Sequence, residues 1–122
     1  MWRDDANLLD MLIWARRAGT YGCRLDETAF HADPLVQDAT IRCLEVIGEA
    51  TGRVSDEFRN RHSEIPWAKI IGMRNRLAHE YAQVDLSEVW RTATQDCPRL
   101  AAGLEPLVPD ASDSIPDEWE FL

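Results

Sequence analysis

DPLVQDATIRCLEVIGEATG, Asp33 to Gly52, is the most regular stretch of the chain, and its reading decides the fold. Val36, Ala39, Cys43, Val46, Ile47 and Ala50 recur at three- and four-residue intervals, which places them on one face of an α-helix. Asp33-Pro34 supplies an N-cap and a residue whose fixed φ suits the first turn, and Gly52 marks the far end. A helix with one apolar face must bury it against something, so the flanking sequence has to provide partners.

Towards the N-terminus, Leu8, Leu9, Leu12, Ile13 and Ala15 predict a helix from about Asp4 to Ala18, with Gly19 ending the pattern. The polar stretch that follows has room for a short turn at Glu27 to Phe30. Towards the C-terminus, residues 53–63 (RVSDEFRNRHS) hold no sustained period and are read as a loop, with at most a turn of helix at Asp56 to Arg59 and with His62 as a solvated surface residue. A third helix opens at Ser63-Glu64-Ile65-Pro66 and runs to about His79 or Tyr81, with Trp67, Ile70, Ile71, Arg74, Leu77, Ala78 and Tyr81 on its stripe. A fourth opens at Asp85-Leu86-Ser87-Glu88, close to a capping box, and carries Val89, Trp90, Ala93, Cys97, Leu100, Ala101 and Leu104. Pro98 removes a backbone donor inside that helix, and a kink is expected there.

No strand alternation, internal repeat or glycine-rich phosphate loop appears. Four amphipathic helices with short connections pack most simply as an all-α antiparallel bundle, here assigned to residues 1–107. Residues 108–122 form an irregular, acidic, proline-containing tail, disordered or laid along the surface through Ile115, Trp119 and Phe121.

At 122 residues the chain is one domain, and small all-helical chains often enlarge their core by dimerising. The opening Met1-Trp2-Arg3-Asp4-Asp5 is charged where a signal peptide turns apolar, and no apolar run reaches the roughly 20 residues that span a bilayer. A cytoplasmic protein is expected. Cys23, Cys43 and Cys97 are odd in number and lack the paired spacing of a zinc site, so they read as reduced thiols.

The net charge of −9 argues against a nucleic-acid partner until its distribution is considered. Six acids and no Lys or Arg lie in residues 101–122, so the first 100 residues carry 13 basic against 16 acidic groups. From Arg53 to Arg76 the balance reverses to six basic (Arg53, Arg59, Arg61, Lys69, Arg74, Arg76) against three acidic (Asp56, Glu57, Glu64). A basic patch on an acidic protein is compatible with this pattern.

An arginine on an apolar stripe needs an anion, because an unpaired buried charge costs several kcal/mol or more. For Arg74 that anion is either a carboxylate such as Glu49, beside the stripe of the Asp33–Gly52 helix, or a substrate phosphate. His79 follows five residues later, so in one straight helix the two side chains diverge by roughly 140° and do not meet on one atom. Either the helix ends near His79 or the site is shared with a second copy of the chain. Asn75 and Arg76 share the face of His79, and the histidines at 31, 62 and 79 and the scattered carboxylates show no metal-ligand spacing. No metal or cofactor is expected.

Ile65 to Leu100 (IPWAKIIGMRNRLAHEYAQVDLSEVWRTATQDCPRL), with IRCLEVIGEA at Ile41 to Ala50, resembles the HepT-like branch of the HEPN superfamily. The hallmark there is Arg, a polar residue, variable positions and His, here Arg74, Asn75 and His79, extended by His-x-Tyr to Tyr81. The resemblance covers roughly Asp5 to Leu107 and leaves the acidic tail outside. It implies a metal-independent endoribonuclease, the toxin of a toxin–antitoxin pair, working as a homodimer with the two motifs in a shared cleft. His79 would then move a proton, Arg74 hold the phosphate and Asn75 orient either, with Arg76 and Glu49 as supporting candidates, while a nucleotidyltransferase-type antitoxin would attach adenylate to Tyr81. The alternative is a non-catalytic helical module that only binds a nucleotidyltransferase partner.

Overall fold

The computed structural model describes residues 2–79 and 83–109, and within them every regular element is helical. The elements are α1 (Trp2–Gly22), α2 (Glu27–His31), α3 (Pro34–Gly52), α4 (Asp56–Arg61), α5 (Trp67–His79), α6 (Leu86–Arg91), a π-helical turn (Thr92–Asp96), α7 (Cys97–Leu104) and a closing 3₁₀ turn (Glu105–Leu107). α3 forms as its sequence predicts. The Asp33 carboxylate accepts from the Val36 N–H, Pro34 occupies the first turn, and Thr40, Cys43, Leu44, Ile47 and Ala50 are buried.

α3 packs between α1 and α5, and α1 packs on its other side against α7. Two pairs of contacts set the directions. Asp4 at the start of α1 accepts from both the N–H (2.9 Å) and the hydroxyl (2.7 Å) of Ser55, just beyond the end of α3, so α1 and α3 run antiparallel. Arg16 meets Glu105 at 3.3 Å while Gly22, at the end of α1, lies against Ala93, so α1 and α7 also run antiparallel. The core is the common apolar interior of these helices, from Leu8, Met11 and Leu12 through Phe30, Cys43 and Ile47 to Leu77, Val89 and Leu104.

Four details depart from the sequence expectation. α1 does not stop at Gly19 but continues to Gly22, because both glycines are contact points: a Cβ on Gly22 would sit 2.9 Å from Ala93 Cβ, and one on Gly19 would touch Pro98. The stretch read as a loop contains a capped helix, α4, whose Ser55 hydroxyl accepts from the Phe58 N–H. Phe58 packs edge-on against Trp67 at 6.1 Å and lies 4.4 Å from the His62 ring, so His62 is half-buried rather than solvated. The kink expected at Pro98 takes the form of the π turn, in which the Cys97 N–H reaches five residues back to the Thr92 carbonyl just before the proline that cannot donate.

Val108 is buried, so the packed body reaches one residue past the boundary drawn from sequence. Ile115, Trp119 and Phe121 lie outside the described residues. Cys43 and Cys97 are buried and Cys23 is exposed. Burial pushes both inner thiols up to about 12, which leaves neither as a thiolate near neutral pH.

α3 and α5 approach each other closely at Gly48. A Cβ placed on Gly48 would fall 2.2 Å from Arg74 Cβ and 2.5 Å from its Cγ, whereas one on Gly52 would meet nothing within 4 Å. Gly48→Ala should therefore force the helices apart and cost about 1–3 kcal/mol or more, as overpacking does. Gly52→Ala in the same helix should be neutral or gain up to ~1 kcal/mol, so urea denaturation of the pair isolates the contact from helix propensity.

Burial opposes ionisation of Asp4, but the two bonds from Ser55 and the positive field of Arg61 outweigh it and hold the carboxyl below its ordinary 3.8. A carboxyl lowered in the folded state stabilises the fold above its ordinary value, and that contribution is lost as pH falls through the folded value. Stability measured from pH 6 downward should decline below about 4. Asp4→Asn should remove that component of the decline.

Candidate active site

α5 carries every described residue of the Arg-Asn…His motif. It begins directly after Pro66, and its first turn is fixed by Trp67, whose indole N–H donates to the His62 carbonyl at 2.9 Å. Trp67, Met73 and Leu77 are buried towards the core. That orientation leaves Arg74 on the flank facing α3, half-buried, with its Cβ and Cγ over the bare Cα of Gly48.

The Arg74 guanidinium does not find a carboxylate among the described residues; its Nη1 donates to the side-chain oxygen of its neighbour Asn75 at 3.4 Å. Glu49, the carboxylate expected to neutralise it, instead lies 3.6 Å from Arg42 on its own helix. Arg42 also reaches Glu45 at 3.8 Å. The structure thus brings Arg74 and Asn75 together and leaves Glu49 with a different cation.

His79 is exposed at the last described residue of α5, one turn beyond Asn75 and on the same face. α5 is unbroken from Trp67 to His79, so the five-residue offset keeps Arg74 and His79 roughly 140° apart about its axis. Within one chain, Asn75 is the residue that touches Arg74 and shares the His79 face. Arg76 is committed elsewhere: its Nη2 donates to Glu88 on α6 at 2.6 Å and to the Met73 sulfur at 3.3 Å. Tyr81 lies outside the described residues.

Asn75 also lines an open concavity of about 870 Å³ between α4 and α5, together with Ala68, Ile71 and Gly72. Among the described residues no cluster of His, Cys, Asp and Glu is arranged to hold a metal ion, and no helix is long and apolar enough to cross a membrane. The positioning role of Gly48 was not read from the sequence, although a glycine in mid-helix beside Ile47 is a recognisable sign of close backbone approach.

The comparisons with known proteins bear on the same segment. A family described as ribonuclease HepT-like matches residues 11–107. A protein of Thermococcus cleftensis named "Probable ribonuclease HepT" is 41% identical over 78 residues, 64% of this chain and 71% of that protein. Two others carry the name "Putative RNase". One, from Caldanaerobacter subterraneus subsp. tengcongensis, is 44% identical over 58% of this chain and 63% of its own length, a match that spans just under two thirds of that relative. The other, from Methanocaldococcus jannaschii, is 32% identical over 88% of this chain and 93% of its own length. No solved structure matches the chain. With the family match running from the first helix through the Arg-Asn…His segment to the end of the bundle, the chain belongs to the ribonuclease HepT-like family.

Proposed function

We propose that this protein is a metal-independent endoribonuclease, the toxin of a toxin–antitoxin pair, which cuts RNA in a cleft shared by two copies of the chain. The observation that carries the reading is Arg74: a half-buried guanidinium held against α3, bonded to Asn75 and without a carboxylate partner among the described residues. A cation held so, with no carboxylate among the described residues to compensate it, is prepared for an external anion, and the family and the names of its relatives make an RNA phosphate the natural one.

The chemistry follows from the side chains. Histidine changes charge nearest neutral pH, so His79 can take the proton of a ribose 2′-hydroxyl as that oxygen attacks the adjacent phosphorus. The bond to the 5′-oxygen breaks, that oxygen receives a proton, and the products are a 2′,3′-cyclic phosphate and a 5′-hydroxyl. Arg74 stabilises the charge that builds on the non-bridging oxygens, and Asn75 orients the guanidinium or the phosphate. Because Arg74 and His79 diverge on one helix, a second copy supplying the complementary half of the site removes the geometric conflict. The site is therefore assigned to a homodimer.

His79→Ala should abolish cleavage without loss of fold, since its side chain is exposed, and Arg74→Ala should abolish cleavage with some loss of stability. Cleavage by the unaltered protein should persist in EDTA. Intact RNA chains in a gel assay with the wild-type protein, or undiminished cutting by a folded His79→Ala variant, would remove the assignment.

Control is assigned to Tyr81, two residues after His79. Adenylate attached there would bring a phosphate and a nucleoside within two residues of His79 along the chain, where they would compete with RNA for a cation and repel it. Co-expression with a nucleotidyltransferase-type antitoxin should raise the intact mass by one or more adenylates and silence cutting. Tyr81→Phe should keep cutting and escape that silencing; a mass shift that survives in Tyr81→Phe would refute the assignment.

A further inference from the structure

The reversal of charge between Arg53 and Arg76 has no role in the chemistry beyond Arg74, yet the fold gathers part of it into one place. The concavity between α4 and α5 is lined by Arg59 and Asn60 from α4, Ser63 from the connection, and Lys69 and Asn75 from α5, with Asp56 as the one carboxylate among the described residues that line it. The other two acids of the window do not line it, and Glu64 is instead paired with His62 at 3.4 Å. Lys69 is exposed and makes no ion pair among the described residues.

Arg59 is built in differently. Its Nη2 donates to the Thr51 carbonyl at the end of α3 at 2.9 Å, while its Nε is buried with no hydrogen-bond partner among the described residues. The guanidinium is thus fixed in place by the fold.

The direction of this surface is set by α5. Lys69, Gly72, Asn75 and His79 follow one another along its exposed side, and ten residues of helix from Lys69 to His79 rise ~15 Å. At about 3.4 Å per phosphate of a stacked strand, that length takes roughly four nucleotides. Cations and amides alternate along it with the half-buried Ile71 and the small Ala68 and Gly72, which let a chain lie close to the helix.

We propose that this concavity is a binding track for the sugar-phosphate backbone of single-stranded RNA, with Lys69 and Arg59 as phosphate contacts and Asn60 and Ser63 as uncharged donors, leading the strand to Asn75 and His79. The inference rests on the ribonuclease reading for its substrate, but not for its contacts.

The test uses full-length His79→Ala protein and a fluorescently labelled 12-nucleotide RNA, with affinity measured across a potassium chloride series. Lys69→Gln should weaken binding several-fold and reduce the slope of log affinity against log salt by about 0.7, one single-strand phosphate contact. Lys69→Glu should weaken it further, and Arg59→Gln should act likewise where its melting shows a folded protein. Arg91→Gln, exposed on α6 and lining neither this concavity nor the neighbouring groove that Lys69 also borders, should leave affinity and slope unchanged. In the His79 protein, Lys69→Gln should raise KM more than it lowers kcat.

Affinity and salt slope unmoved by folded Lys69→Gln and Lys69→Glu would overturn the track, whether or not the wild type cuts RNA. A change in the dimerisation constant in place of RNA affinity would overturn it too, by assigning the concavity to a second copy of the chain. RNA bound with the expected Lys69 dependence by a wild-type protein that cuts none would uphold the track and sink the ribonuclease reading alone.

Discussion

The close approach of α5 to α3 at Gly48 is the contact on which the site depends. With Arg74 Cβ where a side chain of residue 48 would otherwise be, the two backbones sit nearer than any other residue allows, and Arg74 is fixed as a consequence of helix packing. The cost of a charge on a half-buried flank is met partly by Asn75 and partly by solvent, and Glu49, which could neutralise it, is held by Arg42. A guanidinium left in that condition raises affinity for an incoming anion, because binding satisfies a cation that the fold has already ordered.

The main helices were legible because each carries its own signals. Asp33 and Pro34 open α3, Asp85 opens α6 by accepting from the N–H groups of Ser87 and Glu88, and the apolar spacings are strong enough to override the polar residues between them. What failed was punctuation. Gly19 reads as a stop only if the helix has nothing to pack on beyond it, and here Gly22, three residues on, is where α1 lets Ala93 come close, while a Cβ at Gly19 would make only ordinary contact with Pro98. α4 is too short to show a period, and its stability is tertiary: the Ser55 cap, which also ties α1 through Asp4, and Phe58 packed on Trp67. The π turn before Pro98 is likewise invisible in a spacing of apolar residues that reads the same through a kink, a bulge or a straight helix.

The candidate site could be proposed from its residues, but its support could not be read. Arg74, Asn75 and His79 could be named from the motif, and the 140° divergence of Arg74 from His79 could be worked out before any coordinate, since it needs only the helical repeat. The partner of Arg74 could not, because Glu49 and Arg42 lie seven residues apart on one helix and their meeting depends on rotamers that spacing does not fix. Nor could the fate of Arg76, which shares the His79 face but is drawn to Glu88 on α6.

Charge is the remaining tension in the proposed function, under which a protein of net −9 would have to accept a polyanion. The two scales separate. At physiological salt the Debye length is about 8 Å, so a phosphate seated between α4 and α5 responds to the groups within one or two turns of it rather than to the acids of the rest of the molecule. The net charge still acts at a distance, where it opposes encounter with RNA, and salt that screens this repulsion weakens the local cation–phosphate contacts at the same time. On the proposed reading, association and dissociation therefore depend on salt through different residues: the first through the whole acidic surface, the second through Lys69, Arg59 and the cations nearest the strand. If the proposed reading holds, an acidic protein of this kind binds RNA only where a strand can reach those few cations, and weak binding to nucleic acid elsewhere would follow from the same charge distribution as binding along the concavity.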